Sequence, residues 1–538
     1  MNETKAPTLE NLSFARRYPV TRVPVLARNV VATSQPLATQ AGIRMLLKGG
    51  TAVDAALAAA ITLAVVEPTG NGLGSDAFCI LWDGKELHGL NASGRSPKDW
   101  TPERFAKFGK MPERGWESVT VPGAVSAWVE LSSRFGRLPF ADLFEPAIDY
   151  ARNGFLVSPT IARLWQTGAD LLHHQPGFRT CFMPDGRPPT AGKLFANHPL
   201  ARSLESIAAT KGEAFYRGEL AERIAASAAE HGAALTAEDM AAHQADWCGT
   251  ISMRFRHVDV HEIPPNGQEI AALMALGILE HTDIESIDPD SAEGFHLGIE
   301  AMKLAFADAG KYVSDPASMT VGPEALLDPG YLASRAALIN WTKASEPGAG
   351  APTMGGTVYL TAADASGMMV SYIQSNFAGF GSGVVVPETG IHLQNRGFGF
   401  TTQAGHPNCV GPRKRPFHTI IPGFLMRDGA PLMSFGVMGG SMQAQGHLQM
   451  VLRTQVFGQN PQMASDAPRW RVLAGRQVAV ETSVPVDVVR GLEALGHIVS
   501  QEVGDAEFGF GGAQLIYKTP DGYIAGSDHR KDGLAAGF

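Results

Sequence analysis

Residues 342–363 read Thr-Lys-Ala-Ser-Glu-Pro-Gly-Ala-Gly-Ala-Pro-Thr-Met-Gly-Gly-Thr-Val-Tyr-Leu-Thr-Ala-Ala, and this stretch decides how the rest of the chain is interpreted. Its first part, 342–356, is rich in glycine, proline and alanine, which is typical of an exposed linker. Its second part, 357–363, has the composition of a β-strand. Thr357 therefore stands directly after two glycines, at the point where a flexible linker enters an ordered strand.

Cleavage of the peptide bond between Gly356 and Thr357 would make this threonine the first residue of a new chain. An N-terminal threonine carries a hydroxyl nucleophile together with its own base, an α-amine whose unperturbed pKa is about 7.7 to 8.0. Such a site needs no separate histidine. The alternative is a plain loop that enters an edge strand, because short motifs of this kind often arise by chance.

The bulk composition is that of an ordinary globular protein. The 538 residues are 44% hydrophobic and 18% charged, which is enough for two to four domain-sized units. The net charge of −9 argues against nucleic acid or an anionic membrane as the main partner. The four cysteines form no close pair, and the polar N-terminal segment lacks a signal-peptide pattern. We expect neither a disulfide framework nor a membrane span, and we expect a cytoplasmic location.

Hydrophobic periodicity predicts a protein with both helices and strands. A hairpin should follow Phe78 and turn at Asp83-Gly84, and the region 140–243 should be mainly helical. The other expected elements are helices at 36–47, 52–66 and 293–309, a strand at 253–261, and a hairpin over 357–373 that turns at 364–367.

A glycine pair, Gly439-Gly440, lies between a strand-like segment (431–436) and a helical one (443–457). Two glycines in this position can turn successive backbone N–H groups toward one point beside a helix N-terminus, as in many oxyanion holes. A plain strand-to-helix turn is the alternative.

Arg95 stands on a loop between Gly94 and Pro97. A guanidinium in such a loop can grip a carboxylate with two hydrogen bonds, although most loop arginines are simply solvated. The glycine-rich run 70–74 follows a helix and lacks the full nucleotide-binding spacing, so we interpret it as a site of close backbone packing.

The histidine pairs do not indicate a metal site. His257 and His261 should share one face of the 253–261 strand, but no third ligand stands nearby, and His173-His174 is no better placed. The sequence contains neither an H-E-x-x-H nor a G-x-S-x-G motif. We therefore expect no metal and no cofactor.

Ten stretches, in order, resemble the gamma-glutamyltranspeptidase family of N-terminal nucleophile hydrolases. They are 36–42, 48–56, 66–68, 94–95, 121–123, 300–308, 356–357, 411–416, 439–440 and 526–530.

The resemblance implies an α+β fold built as a four-layer αββα sandwich. It implies autocleavage at Gly356–Thr357 into a large subunit, 1–356, and a small subunit, 357–538, which stay together as one unit. Thr357 would be the nucleophile, Gly439 and Gly440 the oxyanion donors, and Arg95 the carboxylate anchor. A dimer of such heterodimers is compatible with this picture.

The departures from the family pattern concern substrate recognition. Members that act on γ-glutamyl compounds carry acidic residues after the segment that matches 390–395, and these hold the substrate ammonium group. Here the run 394–400 contains no acid and instead has Arg396, which would repel an ammonium group. His418-Thr419 replace a frequent serine pair, and the lid insert before Gly411 is short.

These features resemble the branch of the family that includes oxamate amidohydrolase and related acylases. We predict a small anionic amide as substrate, bound with help from Arg95 and Arg396. Asn376 is expected to contact the nucleophile or the substrate, and Ser375 could share that role. Two alternatives stay open: a γ-glutamyl hydrolase or transferase, and an uncleaved relative that binds a ligand without catalysis.

Overall fold

The computed structural model describes residues 22–347, 356–504 and 509–538, so most of the expected linker at 342–356 lies outside the described residues. The strands, in chain order, are β1 Val25–Ala27, β2 Val30–Thr33, β3 Asp76–Trp82, β4 Leu87–Asn91, β5 Phe155–Leu156, β6 Leu194–Phe195, β7 Asp246–Trp247, β8 Ile251–Phe255, β9 Val258–Glu262, β10 Gly356–Ala363, β11 Met369–Phe377, β12 Gly423–Arg427, β13 Ala430–Met438, β14 Trp470–Ala474, β15 Gln477–Glu481, β16 Ile498–Glu502, β17 Gly512–Lys518, β18 Tyr523–Ser527 and β19 Leu534–Gly537.

Two seven-stranded sheets hold most of these strands. The first sheet has the order β1-β18-β17-β13-β12-β9-β8, and the second has the order β19-β2-β10-β11-β3-β4-β7. Neighbouring strands are antiparallel throughout both sheets. A small sheet, β14-β15-β16, contains one parallel pair, and β5 pairs with β6.

Several helices begin where a side chain satisfies free N–H groups of the first turn. Thr51 and Asp54 form a capping box at α2, and the Gln35 side chain caps α1, which has Pro36 at its start. The α-helices are α1 Pro36–Leu47, α2 Ala52–Val66, α3 Pro102–Phe105, α4 Ala124–Phe135, α5 Glu145–Asn153, α6 Pro159–Leu172, α7 Phe178–Phe182, α8 His198–Thr210, α9 Glu213–Tyr216, α10 Glu219–Glu230, α11 Ala237–Ala241, α12 Glu269–Leu279, α13 Ala292–Tyr312, α14 Pro323–Leu326, α15 Pro329–Ala336, α16 Met442–Val451, α17 Pro461–Asp466 and α18 Val486–Ala494.

Alternate side chains of β10 pack into two different hydrophobic cores. Tyr359 and Ala363 face the other large sheet, and Thr361 reaches across to Ser434 of β13 with an Oγ–Oγ distance of 2.6 Å. Val358 and Leu360 point the opposite way and pack with α2, all of whose residues are buried. A third core joins the outer side of the first sheet to α12, α13 and α16. The protein is thus a mixed α/β fold with antiparallel sheets.

Several sequence predictions match the structure closely. Helices α1 and α2 have the predicted bounds, the predicted hairpin from Thr357 is β10–β11, and the region 140–243 is mainly helical. Helix α13 is longer than predicted, and α16 ends at Val451, where a π-helical segment, Leu452–Val456, continues it. No helix in the described part of the chain combines the length and apolar character that a membrane crossing requires.

The predicted strand at 253–261 is wrong in one respect. It is two strands, β8 and β9, joined by a tight turn in which Arg256 has φ 51°. His257 lies in that turn, whereas His261 lies on β9 with its Nδ1 3.0 Å from Thr250 Oγ1. The expectation that the two histidines share one strand face therefore fails, because the sequence pattern hid the turn.

Candidate active site

Thr357 lies at the start of β10 and is fully buried. The β10–β11 register shifts by one residue between Gly356 and Val358, so the backbone is irregular at this threonine. Its Oγ1 lies 3.1 Å from Ser375 Oγ on the neighbouring strand.

Ser375 also contacts the peptide bond at which we expect cleavage. Its Oγ donates to the Gly356 carbonyl oxygen at 2.7 Å and accepts from the Phe377 amide at 2.8 Å. A hydroxyl has one proton to give, and here the Gly356 carbonyl takes it. The contact between Thr357 and Ser375 must then run from the threonine hydroxyl to the serine oxygen, which leaves lone pairs on Thr357 Oγ1 exposed to other donors.

The sequence favoured Asn376 as the contact of the nucleophile or substrate, with Ser375 as a residue that could share this role, and the structure gives the two side chains different partners. Ser375 contacts Thr357, whereas the Asn376 Oδ1 accepts from Ser75 Oγ at 2.8 Å. The Asn376 Nδ2 is buried and has no hydrogen-bond partner among the described residues. Ser375 is therefore the closer neighbour of the candidate nucleophile.

The glycine-rich run 70–74 packs against this strand end. A Cβ at Gly70 would lie 3.2 Å from the Thr357 carbonyl oxygen, and one at Gly74 would lie 2.3 Å from the His392 carbonyl oxygen. The Asn376 amide donates to the Gly70 carbonyl at 3.0 Å. These distances agree with the prediction of close backbone packing, because a side chain at Gly74 would collide with the neighbouring strand.

Gly439 and Gly440 connect the end of β13 to the N-terminus of α16. Their φ values are 120° and 59°, a conformation that favours glycine. The Gly439 carbonyl accepts from the Met442 amide at 3.1 Å, and the Gly440 carbonyl accepts from the Gln268 Nε2 at 2.8 Å. A trans peptide points its N–H away from its carbonyl, so the Gly440 N–H is directed away from the α16 backbone. Within the described residues, neither glycine amide donates to a protein acceptor.

Arg396 is buried beside this site, with 1% of its surface exposed. Its guanidinium stacks 4.7 Å above the Phe377 ring, and its Nη1 donates to Thr419 Oγ1 at 2.9 Å. The Nε and Nη2 atoms have no hydrogen-bond partner in the described part of the chain. Burial lowers the pKa of Arg396 to about 9, although the negative charges of Asp76 and Glu269 act to raise it.

Sequence reasoning missed Asp76, which joins several parts of the site. Its Oδ1 accepts from the amides of Gly94 and Gly123 at 3.1 and 3.0 Å, and its Oδ2 lies 3.2 Å from the His418 Nε2. Burial raises the pKa of Asp76 to about 7, against the Arg396 charge and these backbone hydrogen bonds. Asp76 also pairs with Ser375 across the β3–β11 ladder. Only the folded sheet brings these positions together, so no local signal could have found them.

His418 is a neutral donor in this arrangement. The Ile420 amide donates to its Nδ1 at 3.4 Å, so the proton is assigned to Nε2, which donates to Asp76. Burial, helped by the charges of Arg396 and Arg415, lowers the pKa of His418 well below its ordinary value. The imidazole therefore adds no positive charge at neutral pH.

Arg95 is not free to bind a ligand in this structure. Its Nη1 lies 3.1 Å from Asp315 Oδ2 and its Nη2 lies 3.8 Å from Asp246 Oδ2, and the side chain is 45% exposed. A substrate carboxylate could reach this guanidinium by exchanging with these two partners. Arg95 thus differs from Arg396 in being more exposed and in having both terminal nitrogens close to carboxylates.

Glu269 is a second residue that the sequence did not point to. It begins α12 and is fully buried, and neither carboxyl oxygen has a partner among the residues that the structure describes. Burial raises its pKa well above the ordinary value for glutamate. Burial thus favours the neutral form of Glu269, while the nearby charge of Arg396 acts in the opposite direction.

The chain is similar to known enzymes over nearly its whole length. The family model for gamma-glutamyltranspeptidase matches residues 38–538. The crystal structure of cephalosporin acylase from Bacillus halodurans is 45% identical, covers 98% of this chain and 99% of that one, and superposes with a TM-score of 0.94. The glutathione hydrolase-like YwrD proenzyme of Bacillus subtilis is 37% identical and covers 95% of this chain and 98% of its own.

A further relative is the oxamate amidohydrolase proenzyme of Klebsiella pneumoniae, which is 35% identical over 93% of this chain and 97% of its own. Family model, sequence relatives and solved structure agree with one another and with the resemblance read from the sequence. The chain therefore belongs to the gamma-glutamyltranspeptidase family of N-terminal nucleophile hydrolases, enzymes that act on amides.

Proposed function

We propose that this protein is an autoprocessed amidohydrolase that cleaves a small carboxylate-bearing amide such as oxamate, with Thr357 as nucleophile. The proposal includes cleavage into subunits 1–356 and 357–538, which stay together in a four-layer αββα unit. It extends to a dimer of these heterodimers and to a cytoplasmic location. The proenzyme names of two relatives support the processing step.

Autocleavage starts from the geometry of the uncut chain. Thr357 Oγ attacks the Gly356 carbonyl carbon, whose oxygen is already hydrogen-bonded to Ser375. The peptide C–N bond then breaks, the threonine nitrogen takes the hydroxyl proton, and an ester remains between the two residues. Water hydrolyses this ester, which leaves a Gly356 carboxylate and a free Thr357 amine.

The same hydroxyl then acts on substrate. The Thr357 amine takes the Oγ proton while Oγ bonds to the substrate amide carbon. The amides of Gly439 and Gly440 stabilise the oxyanion, the substrate C–N bond breaks, and the leaving nitrogen takes the proton back. Water, activated by the amine, hydrolyses the acyl-enzyme and restores Thr357.

The buried guanidinium of Arg396 is the observation that carries the choice of substrate. Its Nε and Nη2 atoms both lack a protein acceptor among the described residues, next to Thr419 and the Gly440 loop. Leaving such donors buried costs free energy, which a bound acceptor would recover. A carboxylate accepts from two guanidinium N–H groups at once, and oxamate carries a carboxylate beside its amide.

Hydrolysis of γ-glutamyl compounds is the second candidate, and Glu269 is the residue that favours it. As a carboxylate it could hold a substrate ammonium group, which the run 394–400 cannot do. Burial raises its pKa and so opposes the charged form that an ammonium group requires, and this candidate therefore ranks below the first. An uncleaved, non-catalytic relative ranks third, because an intact chain keeps the Thr357 nitrogen as an amide.

The test is a comparison of substrates on the purified processed enzyme. Ammonia release from oxamate and p-nitroaniline release from γ-glutamyl-p-nitroanilide are measured side by side. The proposal expects turnover of oxamate and little of the γ-glutamyl compound. Turnover of the γ-glutamyl compound with inertness toward oxamate would reverse the ranking.

A further inference from the structure

Gln443 is a buried side chain in the first turn of α16 that contacts the candidate nucleophile. Its Nε2 lies 3.4 Å from Thr357 Oγ1. Its Oε1 accepts from the Ile421 amide at 3.0 Å, and none of its surface is exposed. The helix start therefore presents an amide group to the threonine hydroxyl.

The orientation of this amide follows from its other contact. The Ile421 amide can only donate, so the group facing it must be the Gln443 oxygen, and the NH₂ group must face Thr357. The threonine proton is directed to Ser375, which leaves lone pairs on Thr357 Oγ1 for the Gln443 donor. All donor and acceptor directions around the hydroxyl are mutually consistent.

We propose that Gln443 is a catalytic residue that donates a hydrogen bond to Thr357 Oγ1 while this oxygen loses its proton. The inference rests on the proposed role of Thr357 as nucleophile. Negative charge develops on Oγ when its proton passes to the α-amine, and again when the acyl-enzyme C–O bond breaks. An N–H donor fixed at that oxygen stabilises both steps, because it is already oriented before charge appears.

The backbone of Gln443 also contacts the turn that contains the two glycines. Its backbone amide donates to the Gly440 carbonyl at 3.2 Å. One residue thus links the attacking oxygen to the peptide groups proposed to hold the oxyanion. A change in its side chain alone leaves this backbone contact in place, so the two contributions can be measured separately.

The experiment uses the full-length processed enzyme and a probe that does not depend on the identity of the substrate. Methanesulfonyl fluoride forms a sulfonate ester on an activated hydroxyl with loss of fluoride and a proton, and mass spectrometry of the small subunit follows its rate. The variants are Gln443→Met, which removes the donor, and Gln443→Glu, which adds a carboxylate. The matched control is Gln445→Met on the same helix, because Gln445 is also buried and binds the backbone of Val472.

We expect Gln443→Met to slow labelling of Thr357 by about tenfold, somewhat less than the loss of a full oxyanion donor. Gln443→Glu should move the acid limb of the rate–pH profile up by about one pH unit, because an added negative charge favours the protonated α-amine. Asp76 and Glu269 interact electrostatically with Arg396 near this end of the sheets, and all three stay in every variant. Gln445→Met should leave both the rate and the limb within twofold of wild type.

Autocleavage gives a second readout, since it uses the same hydroxyl. A folded Gln443→Met precursor that cleaves more slowly than Gln445→Met supports the inference. Two outcomes overturn the inference. The first is that both Gln443 variants keep the wild-type labelling rate and the wild-type acid limb of the rate–pH profile. The second is that neither variant folds, because the residue would then be structural. Lack of oxamate turnover by a wild type that is still labelled at Thr357 would overturn the proposed substrate and leave Gln443 intact.

Discussion

Replacement of Arg396 by methionine should weaken substrate binding strongly while changing the free energy of unfolding little. The guanidinium is buried, makes one hydrogen bond to Thr419 and stacks on Phe377, and lacks partners at Nε and Nη2 within the described residues. Removing it loses one hydrogen bond and a ring contact but also removes the desolvation cost of a buried charge. We expect the free energy of unfolding to change by no more than about 1 kcal/mol.

The binding free energy of an anionic substrate should change far more than the free energy of unfolding. Two N–H groups of Arg396 can grip a carboxylate, and charge-assisted hydrogen bonds contribute about 1.5 to 3 kcal/mol each without being additive. A net loss of about 3 kcal/mol corresponds to a drop of roughly 100-fold in kcat/KM. The loss should be specific to substrates that carry a carboxylate.

The assay compares oxamate with oxamide, which differ in that an amide replaces the carboxylate. Arg396→Met should lower kcat/KM for oxamate by roughly 100-fold and kcat/KM for oxamide by much less. The ratio of kcat/KM for oxamate to kcat/KM for oxamide should therefore fall. Urea denaturation of the same samples gives the free energy of unfolding.

Arg530→Met is the control, because Arg530 is equally buried but fully engaged with Glu481 at 2.5 and 2.6 Å. Loss of this partner leaves a buried carboxylate unpaired, which should cost about 3 to 5 kcal/mol without changing the oxamate-to-oxamide ratio. An Arg396→Met enzyme that keeps the wild-type ratio would refute the reasoning. So would a loss of stability in Arg396→Met as large as that in Arg530→Met.

Three further predictions concern the glycine loop and two buried acids. Gly440→Ala should lower the free energy of unfolding by about 1 to 2 kcal/mol, and Gly439→Ala should lower it by more because its φ of 120° lies further from what alanine tolerates. Both variants should also slow amide hydrolysis. Unchanged turnover in both would count against the oxyanion role. Burial raises the pKa of Glu67 to about 7, so the folded state holds its proton more tightly than the unfolded state, and the resulting stability is lost as pH rises from about 4.5 through 7. Glu67→Gln should therefore stabilise the protein by up to about 3 kcal/mol at pH 8 and have little effect at pH 4, which urea midpoints at the two pH values would check. Lys303→Met should lower the free energy of unfolding by about 3 kcal/mol or more, because Glu300, which is 2.8 Å away and fully buried, loses its cation. The double variant with Glu300→Gln should recover part of this loss in the same urea assay. Strictly additive effects of the two substitutions would contradict the pairing.

Local sequence signals were enough for the scaffold around the site. Helix α2 was predictable because small apolar residues fill every face of a segment that starts with Thr51 and Asp54. The β10–β11 hairpin was predictable from alternation and from a turn at 364–367. Both signals act over a few residues, so tertiary packing had little opportunity to override them.

The candidate site was predictable only in part. Arg396 was found because it stands where an acid is usual in the family, but its lack of partners depends on the fold. Asp76 and Glu269 come from other segments of the chain. The contact of Asp76 with His418 and the proximity of both acids to Arg396 arise only in the folded structure. The ion pair that engages the Arg95 guanidinium likewise depends on Asp315, which is more than 200 positions away in the sequence.

The intact mass of the purified protein shows whether the chain cleaves itself before Thr357. Autocleavage there predicts two chains, with a small subunit that begins at Thr357, and one uncleaved chain of 57.1 kDa for Thr357→Ala. Thr361→Ala, which alters a threonine of the same strand that bonds Ser434, should still cleave. A wild-type protein that stays in one piece, or a small subunit that begins at any other residue, would contradict the account.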